Sequence, residues 1–191
     1  MSDSFVVKTR PKKTALRITL TALFAALISG GGFVAVPLPF SPVPIVLQNL
    51  FIVLSGLVLG PALGAAAVGL YLAAGALGLP VFSGAGGGIA RFASPTGGFL
   101  IGYFFAALCA GSIAGTPKKD IPLYRIALAA AAGFLVVYIP GLLWLYRFFG
   151  SWPKTFAAGF FPFLIGDAIK VVIAATASKR LRRTAADIFN G

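Results

Sequence analysis

Only four of the 191 residues are acidic, none is histidine, and cysteine occurs once, at Cys109. A single cysteine excludes an internal disulfide. The lack of histidine removes the commonest general base and metal ligand, so no catalytic or metal-binding constellation assembles from this composition. Charged residues make up 10% of the chain, against about 25% in soluble domains, too few to cover a water-exposed surface. What is present instead is apolar: 59% of residues are hydrophobic, where about 45–50% is usual for a soluble domain. The composition is that of an integral membrane protein. The net charge of +12 invites a nucleic-acid reading. The basic residues, however, sit at the chain ends and between apolar runs, so the partner implied is the lipid bilayer and not nucleic acid. Lys8, Arg10, Lys12, Lys13 and Arg17 precede the first apolar run as in a signal peptide. No small-residue cleavage site follows, and the segment reads as an uncleaved first helix.

A membrane-crossing helix needs about 20 apolar residues. Six runs are candidates, at roughly 15–35, 45–59, 62–79, 96–115, 124–147 and 156–177, the second of them short, which predicts an all-α integral membrane fold. The second and third runs are split by Gly60-Pro61, a helix-breaking turn. With six spans and both termini cytoplasmic, the inner side collects 12 of the 16 Lys and Arg residues and the outer side only Arg91, Arg147 and Lys154, as the positive-inside rule requires. The organisation expected is a basic cytoplasmic N-terminus over 1–14, a membrane domain over 15–178 and a basic cytoplasmic C-terminus over 179–191. Two outer loops stand apart. Val34–Ile45 holds four prolines and no charge, which predicts a stiff, non-helical segment. Leu79–Gly98 is rich in glycine and carries Arg91. No internal repeat is visible.

Within the last run stand Asp167 and Lys170, three residues apart and therefore on one helix face. A charge at bilayer depth costs about 3 kcal/mol on insertion scales and faces a protein interior or a cavity. Two readings follow: a buried structural ion pair, or the polar end of a solute pocket, with the carboxylate accepting N–H donors and the ammonium meeting an anion. Arg91 has a guanidinium fork suited to a carboxylate or phosphate. "GAGGGIA", Gly84–Ala90, lacks the βαβ context of a dinucleotide fingerprint. Tyr71, Phe82 and Tyr103 are among the aromatic residues available to wall a pocket, and Ala22 and Ala26 form a small-xxx-small pair suited to close helix contact.

The stretch from Ser41 to Tyr103, followed by "GDAIK" at Gly166–Lys170, resembles the BioY family, the biotin-binding S components of energy-coupling factor (ECF) transporters. The resemblance extends over nearly all of residues 15–178. It implies six membrane helices, a ligand pocket towards the outside, and capture of biotin without chemical change, so no enzyme and no cofactor. It also implies a prokaryotic cell membrane location and partners comprising a transmembrane coupling subunit and two cytoplasmic ATPases. The family's acid, lysine and arginine match Asp167, Lys170 and Arg91, and its "PVP…LQ" stretch matches Pro42, Pro44 and Gln48; Asn49, Tyr71, Phe82 and Gly87 complete the candidate ligand residues. Leu47-Gln48-Asn49 stands where the family usually has threonine-glutamine-threonine. Ala22 and Ala26 match the family's AxxxA motif for meeting the coupling subunit. Either Lys170 or Arg91 is left to meet the biotin carboxylate. The alternative is an S component for another small vitamin or organic anion.

Overall fold

The computed structural model describes residues 11–118 and 120–190. Lys8, Arg10 and Lys119 of the charge count lie outside the described residues, as do the side chains of Lys12 and Lys13. Helix dominates. In chain order the elements are α1 (Pro11–Gly31), β1 (Ala35–Leu38), β2 (Ser41–Val46), α2 (Gln48–Leu59), α3 (Pro61–Ala76), α4 (Ala90–Ala93), α5 (Gly97–Ala114), α6 (Leu123–Phe149), α7 (Trp152–Gly159), a 3₁₀ turn (Phe161–Phe163) and α8 (Leu164–Asn190).

Each of the six predicted apolar runs contains a helix. Thr14–Gly31, Gly97–Ala114, Leu123–Phe149 and the stretch Trp152–Asp187 are long and apolar enough to cross a membrane, while α2 and α3 are shorter apolar helices. The outward faces are apolar too. Leu128, Leu135, Ile139 and Leu143 on α6, and Ile165, Ile169, Val172 and Ile173 on α8, are exposed at helical spacing, an arrangement suited to lipid and not to water.

The helices approach closely because small residues repeat where they cross. On α5, Gly98, Gly102, Ala106, Ala110 and Ala114 recur every four residues and all are buried. A Cβ added at Gly102 would lie 2.7 Å from the Val137 carbonyl oxygen of α6. The α2–α3 crossing is close as well, since a Cβ at Gly64 would fall 2.6 Å from the Gly56 Cα. In lipid, where the hydrophobic effect between helices is absent, this packing supplies the attraction. Between α2 and α3 the chain turns at Gly60, whose φ of 83° is open to glycine at little cost.

Three differences from the sequence reading have plain causes. The run starting near 45 becomes helical only at Gln48, because Pro42 and Pro44 hold the preceding residues extended as β2. The proline-rich loop is a β-hairpin, with Ala35 paired to Val46, Val36 to Ile45 and Leu38 to Ser41, and an irregularity between Val36 and Leu38. A two-stranded ribbon has only edges, so its prolines cost no ladder partner. The last run is broken at Phe160, where the backbone leaves the helical region before Pro162. Beyond the break, α8 continues past residue 178 to Asn190.

Arg182, read from sequence as part of a basic tail, is 1% exposed. From α8 its guanidinium donates to the Leu57 carbonyl near the end of α2. It also donates to Ala114, Gly115 and Thr116 at the end of α5, at 3.1, 3.2 and 2.8 Å. Terminal helix carbonyls lack intrahelical donors and sit at the negative end of the helix dipole, so one cation closes two helix ends at once. Hydrogen bonds from charged groups contribute about 1.5–3 kcal/mol. Arg182→Met should therefore lower the melting temperature of the purified protein by several degrees, with Arg182→Lys intermediate because an ammonium has three donors for the four carbonyls that the guanidinium fork meets. Equal melting of all three proteins would show that the cap contributes nothing.

Candidate ligand-binding site

The two charges of α8 are buried together. Asp167 and Lys170 are each 8% exposed, and Lys170 Nζ lies 3.2 Å from Asp167 Oδ1. Asp167 stands in the first turn of α8, where the positive end of the helix dipole favours a carboxylate. Lys170 Nζ also donates to the Val46 carbonyl oxygen at 2.9 Å and to Asn49 Oδ1 at 2.8 Å. Asn49 returns a donor, its Nδ2 lying 3.1 Å from Asp167 Oδ1. Tyr138 of α6 donates its hydroxyl to Asp167 Oδ2. An ammonium has three N–H groups, and all three of Lys170's are engaged within the chain.

Three neighbouring cavities lead to this cluster. The widest, about 350 Å³, is lined by β1, β2 and the glycine-rich loop, including Ser41, Pro44, Ser83, Arg91 and Thr96. The second, about 20 Å³, shares Pro44, Ser83, Arg91 and Thr96 with it and reaches Gln48, Phe82 and Tyr103. The third, about 30 Å³, ends on Asp167, Asn49 and Tyr138 among Phe99, Tyr103, Val137 and Phe163. The inner two have room for roughly one or two waters each, whereas small-molecule sites occupy roughly 300–1,000 Å³. Val43, Pro44 and Val46 of β2 line both inner cavities. Phe99 and Tyr103 of α5 line both as well, so β2 and α5 together separate the two.

The sequence candidates distribute unevenly. Asp167 and Asn49 face the deep cavity; Gln48 and Phe82 face the middle one; Arg91 faces the middle and wide ones. Lys170 stands behind Asp167 and lines none of the three. Gln48 is anchored by donating to the Val81 carbonyl oxygen at 3.0 Å. The guanidinium of Arg91 lies over Gly86, where a Cβ would come within 2.3 Å of it. Arg91 forms no side-chain hydrogen bond or ion pair among the described residues. Tyr71 packs edge-on against Phe82 with ring centroids 5.5 Å apart, and Gly87 lies against the Gly78 and Leu79 carbonyls. Neither lines these cavities. Ala22 and Ala26 are elsewhere, exposed on α1. Ala26 borders an apolar groove of about 390 Å³ formed with Leu23, Leu27, Gly30 and Phe51.

Tyr138 and the Val46 carbonyl were not anticipated. A tyrosine inside an apolar run is a signal, since its hydroxyl needs a partner away from water. A backbone carbonyl leaves no trace in sequence.

Removing one member of a buried pair strands the other, typically at about 3–5 kcal/mol. Lys170→Met should therefore destabilise the protein more than the double change Lys170→Met with Asp167→Asn, as read by thermal melting in detergent. A double variant no better than Lys170→Met would count against ion pairing.

The sequence matches the model of the BioY family over residues 6–187. A protein described as a probable biotin transporter BioY, from Pyrococcus horikoshii, is 40% identical over 168 residues, covering 88% of this chain and 97% of that one. A biotin transporter BioY from Rhodobacter capsulatus is 42% identical over 171 residues, covering 82% and 87%. The crystal structure of the S-component for biotin from an ECF-type ABC transporter superposes with a TM-score of 0.82 at 30% identity, covering 91% of this chain and 94% of that one.

Proposed function

Because the chain belongs to the BioY family, we propose that it is the biotin-capturing S component of an ECF-type uptake transporter. In this reading it crosses a prokaryotic cell membrane six times, α2 and α3 included, with both termini in the cytoplasm and the wide cavity facing outwards. The basic ends, 1–14 and 179–191, flank the membrane domain. The chain captures biotin and carries out no reaction. ATP hydrolysis belongs to two cytoplasmic subunits, coupled through a transmembrane partner.

The observation that carries the reading is the polar cluster at the end of an apolar cavity. Biotin presents ureido N–H donors at one end, an apolar ring and chain between, and a carboxylate at the other. Asp167 offers the acceptor at the deep end, and Phe99, Val137 and Phe163 offer apolar walls. The two cations divide by availability. Lys170 is committed to Val46, Asn49 and Asp167, whereas Arg91 faces the wide cavity with no side-chain hydrogen bond or ion pair among the described residues. Arg91 is therefore the cation assigned to the carboxylate. Lys170 is assigned to holding Asp167.

The purified protein should bind one equivalent of biotin by titration calorimetry and melt higher in its presence, since a ligand that binds only the folded state stabilises it. No heat and no melting shift would sink the biotin reading. Arg91→Gln should weaken biotin roughly ten- to a hundredfold, the range of one charge-assisted hydrogen bond, and leave biotin amide nearly unchanged. Equal losses for both ligands would remove Arg91 from the carboxylate.

The exposed pair Ala22 and Ala26 is assigned to the coupling subunit, because small residues admit close helix approach. Ala22→Trp and Ala26→Trp should keep biotin binding by the isolated protein while cellular uptake falls. Normal uptake by well-expressed variants would rule this face out.

A further inference from the structure

Asp167 is held at more points than its charge partner supplies. Oδ1 accepts from Lys170 and Asn49, and Oδ2 accepts from Tyr138. A carboxylate with both oxygens engaged from different sides cannot rotate about its last torsion, which is otherwise a soft degree of freedom. Tyr138 is itself fixed. It is 8% exposed and packs edge-on against Phe160 at 4.9 Å and Phe99 at 6.4 Å between centroids.

The donors that touch Asp167 are spent within the chain; those left facing the deep cavity are the Tyr103 hydroxyl and the second Asn49 N–H. All three Lys170 hydrogens and the Tyr138 hydroxyl hydrogen point at atoms of the chain. The Asn49 amide cannot turn over, because its Oδ1 must face the ammonium and its Nδ2 the carboxylate. What Asp167 and Tyr138 offer to the deep cavity they both line is lone pairs: those left on Oδ2 and on the phenolic oxygen.

We propose that Tyr138 is a positioning residue that fixes Asp167 as an acceptor aimed into the deep cavity, so that this carboxylate favours ligands that present an N–H donor to it over ligands that place an acceptor there. The inference rests on the biotin reading above and names the residue that gives the site its preference for the ureido group. A ligand oxygen placed where an N–H belongs meets a carboxylate with no proton between them, and buried polar groups left unpaired in this way produce large discrimination.

The test compares biotin with its two cyclic-carbamate analogues, in each of which one ureido N–H is replaced by an ether oxygen of nearly the same size. Wild-type protein should bind at least one analogue about a hundredfold more weakly than biotin or worse. Tyr138→Phe should weaken biotin roughly ten- to a hundredfold and shrink the biotin-to-carbamate ratio at least fivefold. A merely structural role would lower all affinities together and leave that ratio unchanged. In an Asp167→Asn background Tyr138→Phe should add little, because it acts through the carboxylate. An unchanged ratio in Tyr138→Phe, or full additivity with Asp167→Asn, overturns the proposal while the biotin reading stands. Wild-type protein that binds biotin and both carbamates alike overturns it without any variant. Wild-type protein that binds no biotin removes the biotin reading itself, and this proposal with it.

Discussion

A charge buried in a protein surrounded by lipid has to be matched inside the protein, and in this fold that requirement falls on Lys170. Its ammonium has three hydrogens and finds three acceptors: one on its own helix, one on the side chain of α2 and one on the backbone of the hairpin. Those bonds tie α8, α2 and the end of β2 to one point. Asp167 extends the junction to α6 through Tyr138. The proline-rich hairpin, which covers the inner cavities, is thereby held by a side chain more than a hundred residues away.

Around that point the chain follows the ordinary rules of packing in lipid. Small residues at four-residue intervals let α5 lie close to α6, and large aliphatic side chains point outward. One group of aromatic residues gathers around α7. Tyr146 stacks on Trp152 with centroids 4.5 Å apart, and Phe156, Phe160 and Phe161 continue the contacts. Phe160 in turn packs on Tyr138, so the same aromatic group walls the polar cluster. Ser41 donates to the Ala158 carbonyl oxygen at 2.6 Å, linking the hairpin to α7.

The sequence made the rare charges legible. Asp167, Lys170 and Arg91 stand out because an ionised side chain amid apolar residues has few bland explanations. It did not separate the roles of Lys170 and Arg91, since availability depends on partners brought from distant segments. Arg182 went unnoticed for the opposite reason. It sits in the run Lys179-Arg180-Leu181-Arg182-Arg183, where composition suggests a solvated tail, and only the turn of α8 directs this one arginine inward. The hairpin was foreseen as rigid and non-helical but not as paired strands. Prolines exclude helix without saying which extended segments meet.

The shortness of α2 has a wider meaning. Its 12 residues rise about 18 Å, well short of the roughly 30 Å of a bilayer's hydrocarbon core. A helix of full length carries its unpaired backbone groups out to the headgroups, where water satisfies them. A truncated one leaves them stranded at depth, and other parts of the protein must come to them. Lys170 meets the carbonyl just before α2 begins, and Arg182 meets a carbonyl of its final turn. The missing turns of one helix are what admit polar backbone and polar side chains into an otherwise oily bundle.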